Sequence, residues 1–172
     1  MIIKLLDIPP EGLNLSISIS SDEFEISSKY EIIEDPVKFD GNVKLMSSGC
    51  LVSGHLKGSW KLSCARCLKF FTLPVDGKFR VFFNRNFNKD TDSILELTQE
   101  QLEEKELNSN EINLTEIIRE EMILRIPMKP ICEGTCKGLC PSCGQDLNIA
   151  SCNCEKNAVN PQFAKLKQFL QK

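Results

Sequence analysis

Between Ile131 and Cys154 the chain reads ICEGTCKGLCPSCGQDLNIASCNC, with six cysteines in twenty-four residues. No other stretch limits the possible folds so strongly. Thiols at this density act as metal ligands, disulfide partners, an iron–sulfur nest or a redox pair, and each option needs a different chain around it. Three more cysteines lie upstream, Cys50 alone and Cys64 with Cys67 in C-A-R-C, making nine in all. An odd total, behind an N-terminus (MIIKLLDIPPEG) that is no secretory leader, argues for a reducing, cytoplasmic setting and against a disulfide framework.

Eight of the nine fall into close pairs: Cys64-x2-Cys67, Cys132-x3-Cys136, Cys140-x2-Cys143 and Cys152-x-Cys154. Four pairs make two tetrahedral four-cysteine sites, and zinc is the ion that such closed thiolate shells favour. The C-P-S-C-G turn is the strongest single signal. Such a turn points backbone N–H groups at the sulfurs, and Gly144 can take the positive φ it often needs. Its nearest partner is Cys152/Cys154, across an eight-residue loop containing QDLN. Cys64/Cys67 would then join Cys132/Cys136, clipping together segments roughly 65 residues apart and removing much unfolded-chain entropy.

Other chemistries share parts of this pattern. Cys136-x3-Cys140-x2-Cys143 has the spacing of enzymes that combine an iron–sulfur cluster with S-adenosylmethionine, but those need a large barrel after the motif and only 29 residues follow Cys143. A simple four-cysteine iron–sulfur centre uses the same ligands and stays open as an alternative. The C-A-R-C pair has no thioredoxin-like βαβ surroundings. Catalytic metal sites keep a position for water beside His or carboxylate ligands, whereas every candidate ligand here is cysteine. The single histidine, His55, falls mid-strand opposite the apolar positions, where a surface role is expected. No nucleophile elbow, metalloprotease helix or P-loop is present, so a non-enzymatic protein is expected.

Upstream of the cysteines the periodicity is that of sheet. Leu13, Leu15, Ile17 and Ile19 alternate with Asn14, Ser16, Ser18 and Ser20. Asp40-Gly41, inside PVKFDGNVKL, reads as a hairpin turn. Val52, Leu56, Trp60 and Leu62 share one parity; from Phe71 to Phe83 the odd positions take over. Gly54 and Gly58 mark bends or close backbone approach. A helix is read from Asn113 as N-cap, with Glu116 three residues on, and a stripe of Leu114, Ile117, Ile118 and Met122 for packing on the sheet. Pro127 and Pro130 end it before Cys132. Pro161, Phe163, Leu166, Phe169 and Leu170 pattern a terminal helix.

The expectation is therefore an α+β chain: a curved antiparallel β-sheet body packed by one amphipathic helix, then a Cys-rich zinc-binding segment and a terminal helix. Its parts are a β body at 1–85 that includes the C-A-R-C turn, an acidic linker at 86–112 with one short helix near 98–106, and 113–172 for the rest. At 172 residues, 41% apolar and 26% charged, the chain has the balance of a water-soluble domain, and no apolar run approaches the roughly 18 residues of a membrane span. Net charge of −3 does not advertise nucleic-acid binding, so any RNA contact must come from a local basic face.

C-A-R-C-L after a β body, then LTEIIREEMILRIPMKPIC, then CKGLCPSCGQDLN and a closing C-x-C together resemble the YceD family, the large ribosomal RNA subunit accumulation proteins. The resemblance runs from about Gly54 to the C-terminus. It implies a bacterial or organellar factor of large-subunit biogenesis, with no catalytic residues to carry over. It also supports pairing Cys64 and Cys67 with Cys132 and Cys136 as the older site, with Cys140, Cys143, Cys152 and Cys154 as a second; the thiolate chemistry makes two structural zinc ions the expectation. The partner is then the pre-ribosomal large subunit, through rRNA or through a ribosomal protein. For rRNA the candidate contacts are Lys129, Lys137, Lys156, Lys165 and Lys167. For a basic ribosomal protein the candidate is the acidic stretch 88–111, and a redox or iron–sulfur sensor is the remaining alternative.

Overall fold

The computed structural model describes residues 1–24, 31–85, 104–107 and 109–154. Its centre is a five-stranded sheet ordered β2 (Leu13–Ile19), β3 (Glu31–Met46), β4 (Gly49–Ser63), β5 (Phe70–Asn84) and β6 (Glu104–Glu106). The first four strands are antiparallel neighbours, and β6 joins β5 in parallel. A second, two-stranded sheet pairs β1 (Ile2–Lys4) with β7 (Glu111–Asn113). The only α-helix among the described residues, α1 (Leu114–Leu124), follows β7 directly.

The alternation in the sequence sets the faces. Val52, Leu56, Trp60 and Leu62 of β4 are fully buried, while Lys57 and Lys61 between them are exposed. Their inward positions meet Val37, Phe39 and Val43 of β3 and the buried face of α1, formed by Leu114, Ile117, Ile118 and Met122. Ile3, Leu5 and Ile8 bring the N-terminal segment into the same core. Asn113 caps α1 as the spacing requires, its Oδ1 accepting from the Glu116 N–H at 3.4 Å. At the other end the Trp60 indole N–H donates to the Met122 carbonyl at 3.0 Å, so a sheet residue satisfies one of the helix's terminal acceptors.

Two local expectations are corrected. Asp40-Gly41 is not a turn: β3 runs straight through it, and the β3–β4 hairpin closes at Ser47-Ser48, where Met46 pairs with Gly49. The reason lies in packing. Gly41 stands opposite Gly54, and the Phe39 ring lies across both; a Cβ on either would come within 2.3–2.4 Å of that ring. The glycines are spaces for an aromatic side chain, whose ring centroid lies 5.5 Å from that of Phe79. The second correction concerns the short helix expected near 98–106: its described part, Glu104–Glu106, is a strand on β5. Backbone pairing with Phe82–Asn84 overrides the helical composition of that piece. The terminal helix expected from Pro161 onward lies outside the described residues.

Candidate metal centres

The turn joining β4 to β5 carries Cys64 and Cys67. Strand β4 delivers Cys64, whose N–H donates to the Lys69 carbonyl at 2.9 Å, and the Leu68 N–H donates back to the Cys64 carbonyl at 2.9 Å. The same two bonds recur in C-P-S-C-G: Cys140 N–H to the Gln145 carbonyl at 2.8 Å, and Gly144 N–H to the Cys140 carbonyl at 2.9 Å. The residue after the second cysteine is left-handed in both turns, Gly144 at φ 74° and Leu68 at φ 61°. They are one motif used twice. The sequence showed this only for Gly144, because leucine gives no signal of a positive φ.

Helix α1 ends at Leu124, and the proline-rich exit carries the chain back to the first turn, where the Pro130 carbonyl accepts from the Ala65 N–H at 2.7 Å. This puts Cys132 and Cys136 beside Cys64 and Cys67, with all four sulfurs within 4.8 Å of one another. The Sγ separations are 4.0 Å for Cys64 and Cys136 and 3.8 Å for Cys67 and Cys132. A tetrahedral ion with bonds of about 2.3 Å spaces its sulfurs by about 3.8 Å. A disulfide would need about 2.05 Å, and none of the nine cysteines is joined in one in this structure. The quartet packs against Phe71 and Ile131; only Cys132 is exposed. Cys140, Cys143, Cys152 and Cys154 form the second quartet, also within 4.8 Å of one another and more open to solvent. Cys50, buried in the sheet core, belongs to neither.

The electrostatics of each quartet suit a cation. Burial pushes the Cys64 thiol up, but the backbone N–H groups of Cys132, Cys67 and Arg66 outweigh it and bring the value down to about 6. The Cys143 and Ser142 N–H groups bring Cys140 to about 6 as well. The later members behave oppositely. Burial and the neighbouring sulfurs push Cys132 up to about 12, and the sulfur of Cys143, followed by burial, pushes Cys154 to about 12. Four thiolates cannot share so small a space without a positive charge among them; each quartet has the donor set and the spacing to hold one metal ion.

The two quartets are physically joined. Arg66, in the first turn, donates from Nη1 to the Cys136 carbonyl at 2.7 Å and accepts the Leu139 N–H on its own carbonyl at 3.1 Å. Lys69 forms an ion pair with Asp146 at 2.7 Å, and that ammonium, with the Asn148 N–H, holds the Asp146 carboxyl below the usual carboxylate range. Asn148 donates from Nδ2 to the Cys136 sulfur at 3.5 Å and accepts the Lys137 N–H at 2.7 Å. Asp146 and Asn148 thus sit in the loop between ligands of the second quartet while supporting the first. Composition flagged QDLN only as a loop; the contact across quartets needed the fold. Of the candidate RNA-contacting lysines, Lys129 and Lys137 are exposed beside the quartets, and Lys156, Lys165 and Lys167 lie outside the described residues.

A mainly antiparallel sheet with one packing helix and two four-cysteine clusters defines the class: a sheet-bodied protein with a cysteine-rich segment able to hold metal. No helix among the described residues is long and apolar enough to cross a membrane. The profile of the family described as large ribosomal RNA subunit accumulation protein YceD matches residues 52–170, and the chain belongs to that family. The chain is 32% identical over 131 residues to the uncharacterized protein Rv2926c of Mycobacterium tuberculosis, an alignment covering 76% of this chain and 60% of that one. The chain therefore spans well under the full length of its mycobacterial relatives. It is 26% identical to the uncharacterized protein YlbN of Bacillus subtilis over 173 residues, covering 98% of this chain and 94% of that one. No solved structure matches the chain. Family membership places the chain among proteins described by a role in large-subunit rRNA accumulation.

Proposed function

We propose that this protein is a non-enzymatic, cytoplasmic factor in large-ribosomal-subunit biogenesis, needed for accumulation of large-subunit rRNA, and that it holds two structural zinc ions. Cys64, Cys67, Cys132 and Cys136 bind one ion; Cys140, Cys143, Cys152 and Cys154 bind the other. The observation that carries this reading is the pair of closed, all-cysteine quartets in a chain of the YceD family. Four thiolates fill a tetrahedral shell and leave no position for water or substrate, which is the arrangement of architecture and not of hydrolysis. Soft thiolates also select zinc over harder divalent ions. Zinc supplies the positive charge that lets the quartets ionise; the chain's own residues shape the turns and supply the N–H donors.

The test is depletion of the protein in its own cells followed by rRNA quantification. The expected result is a selective fall in large-subunit rRNA, restored by the wild-type chain and not by a Cys64→Ser/Cys132→Ser variant. An unchanged ratio of large- to small-subunit rRNA would contradict the proposal.

A further inference from the structure

The face of the sheet turned away from α1 has a charge unlike that of the whole chain. Register places on it Lys38, Lys44, Lys57, Lys61, Lys78 and Arg80, all exposed, in a chain whose net charge is −3. Among the described side chains of β3, β4 and β5, the acids on that face are Glu34, Asp40 and Asp76, and neighbours hold each of them. The Ser59 hydroxyl donates to Glu34 at 3.1 Å, Ser16 to Asp40 at 2.5 Å, and His55 and Lys57 flank Asp76 at 2.5 and 3.5 Å. Those neighbours draw Asp76 below its ordinary value, His55 first. By contrast Lys38, Lys44, Lys61 and Lys78 form no ion pair among the described residues.

Register adds a second sign. Lys38 stands directly opposite Lys57 on the neighbouring strand, an arrangement of like charges that destabilises a sheet. A local choice that opposes the fold marks a surface kept for something other than stability. Hydroxyl and amide side chains, Ser53, Ser59 and Asn42, are interleaved with the cations, and Phe70 is exposed where the face meets the first metal turn. From Lys38 to Lys44 the face extends about 20 Å at the usual strand rise.

We propose that this sheet face is the contact surface for the sugar–phosphate backbone of single-stranded stretches of large-subunit rRNA, a reading that rests on the biogenesis role above. Unpaired ammonium groups meet phosphates, the Ser53 hydroxyl and the second N–H of the Asn42 amide meet phosphate and 2′-OH oxygens, and the exposed aromatic offers a stacking surface at one end.

The experiment uses the full-length, metal-loaded protein and a labelled single-stranded RNA of about 16 nucleotides, the upper range of such binding sites, read by fluorescence anisotropy across a salt series. Binding that tightens as salt falls is expected. The variant Lys38→Gln/Lys44→Gln/Lys61→Gln/Lys78→Gln is expected to fold as the wild type, since one change relieves a repulsion. It should bind at least about tenfold more weakly, with a log–log salt slope smaller by about 0.7 for each phosphate that is no longer neutralised. The variant Lys129→Gln/Lys137→Gln should bind as the wild type does. Unchanged affinity in the quadruple variant, or equal weakening in both variants, overturns the proposal. Sedimentation with large-subunit precursors separates the two failures. Wild-type protein that co-sediments but binds no RNA at low salt overturns the sheet face, leaves the biogenesis role, and points to a ribosomal protein as partner. Wild-type protein absent from those particles overturns the role itself.

Discussion

Leu68 holds a left-handed backbone conformation that the matching turn gives to Gly144, and the residue is 65% exposed, so packing does not compensate for the strain. A left-handed non-glycine residue costs about 1–2 kcal/mol, and glycine adds about 0.5–1 kcal/mol of unfolded-chain entropy. Leu68→Gly is therefore expected to stabilise the metal-loaded protein by under about 1 kcal/mol, seen as a higher denaturation midpoint at constant slope. A clear drop would mean that the leucine side chain makes a stabilising contact despite its exposure. Asn148 is the opposite case, a residue whose side chain matters and whose backbone is ordinary. Removing an outer hydrogen-bond partner of a metal ligand lowers metal affinity about 10–100-fold. Asn148→Ala should weaken zinc at the Cys64 quartet by about that factor in a chelator competition, although Asn148 lies in the loop of the other quartet. Equal retention of both ions would contradict the coupling.

At the scale of elements, the contact between β4 and α1 decides how the metal turn is presented. Trp60 is fully buried and its indole N–H occupies the Met122 carbonyl. Trp60→Phe removes that donor and leaves space in the core, which should cost about 2–4 kcal/mol of stability. A cost below about 1 kcal/mol would show that the Arg125 N–H, which also donates to that carbonyl at 3.2 Å, is enough to satisfy it. Elements governed by local chemistry were legible in the sequence. The Asn113 cap, the Leu114–Met122 stripe and the alternation of β4 and β5 depend on neighbours a few residues away, and the structure places them where the pattern did. Elements governed by distant partners were not. Gly41 looks like a turn until Phe39 needs the space above Gly54, and 104–106 looks helical until β5 offers an open edge. The outward lysines were visible as residues, but only register shows that they share one face. In the quartets, spacing located the ligands' close pairs, while the hydrogen bonds of Asp146 and Asn148 across them had no sequence signal.

For the whole molecule, the Cys64 quartet ties the β4–β5 turn to the chain leaving α1, and the Cys140 quartet folds the segment beyond. Structural zinc contributes about 10–16 kcal/mol in small peptides at neutral pH, against about 5–15 kcal/mol for the stability of a whole domain. Metal removal is therefore expected to unfold at least residues 131–154. A thiol reagent should then report eight reactive cysteines in chelator, with Cys50, whose burial pushes its thiol up to about 11, reacting only in denaturant. Nine equally slow thiols with and without chelator would contradict this. All of it depends on what the eight sulfurs hold, which native mass spectrometry of protein purified without chelator measures directly. The expected neutral mass is that of the chain plus two zinc ions less four hydrogens, since each dication replaces two protons in the charge balance. A mass showing one ion, iron, or disulfide bonds in place of metal would contradict the account.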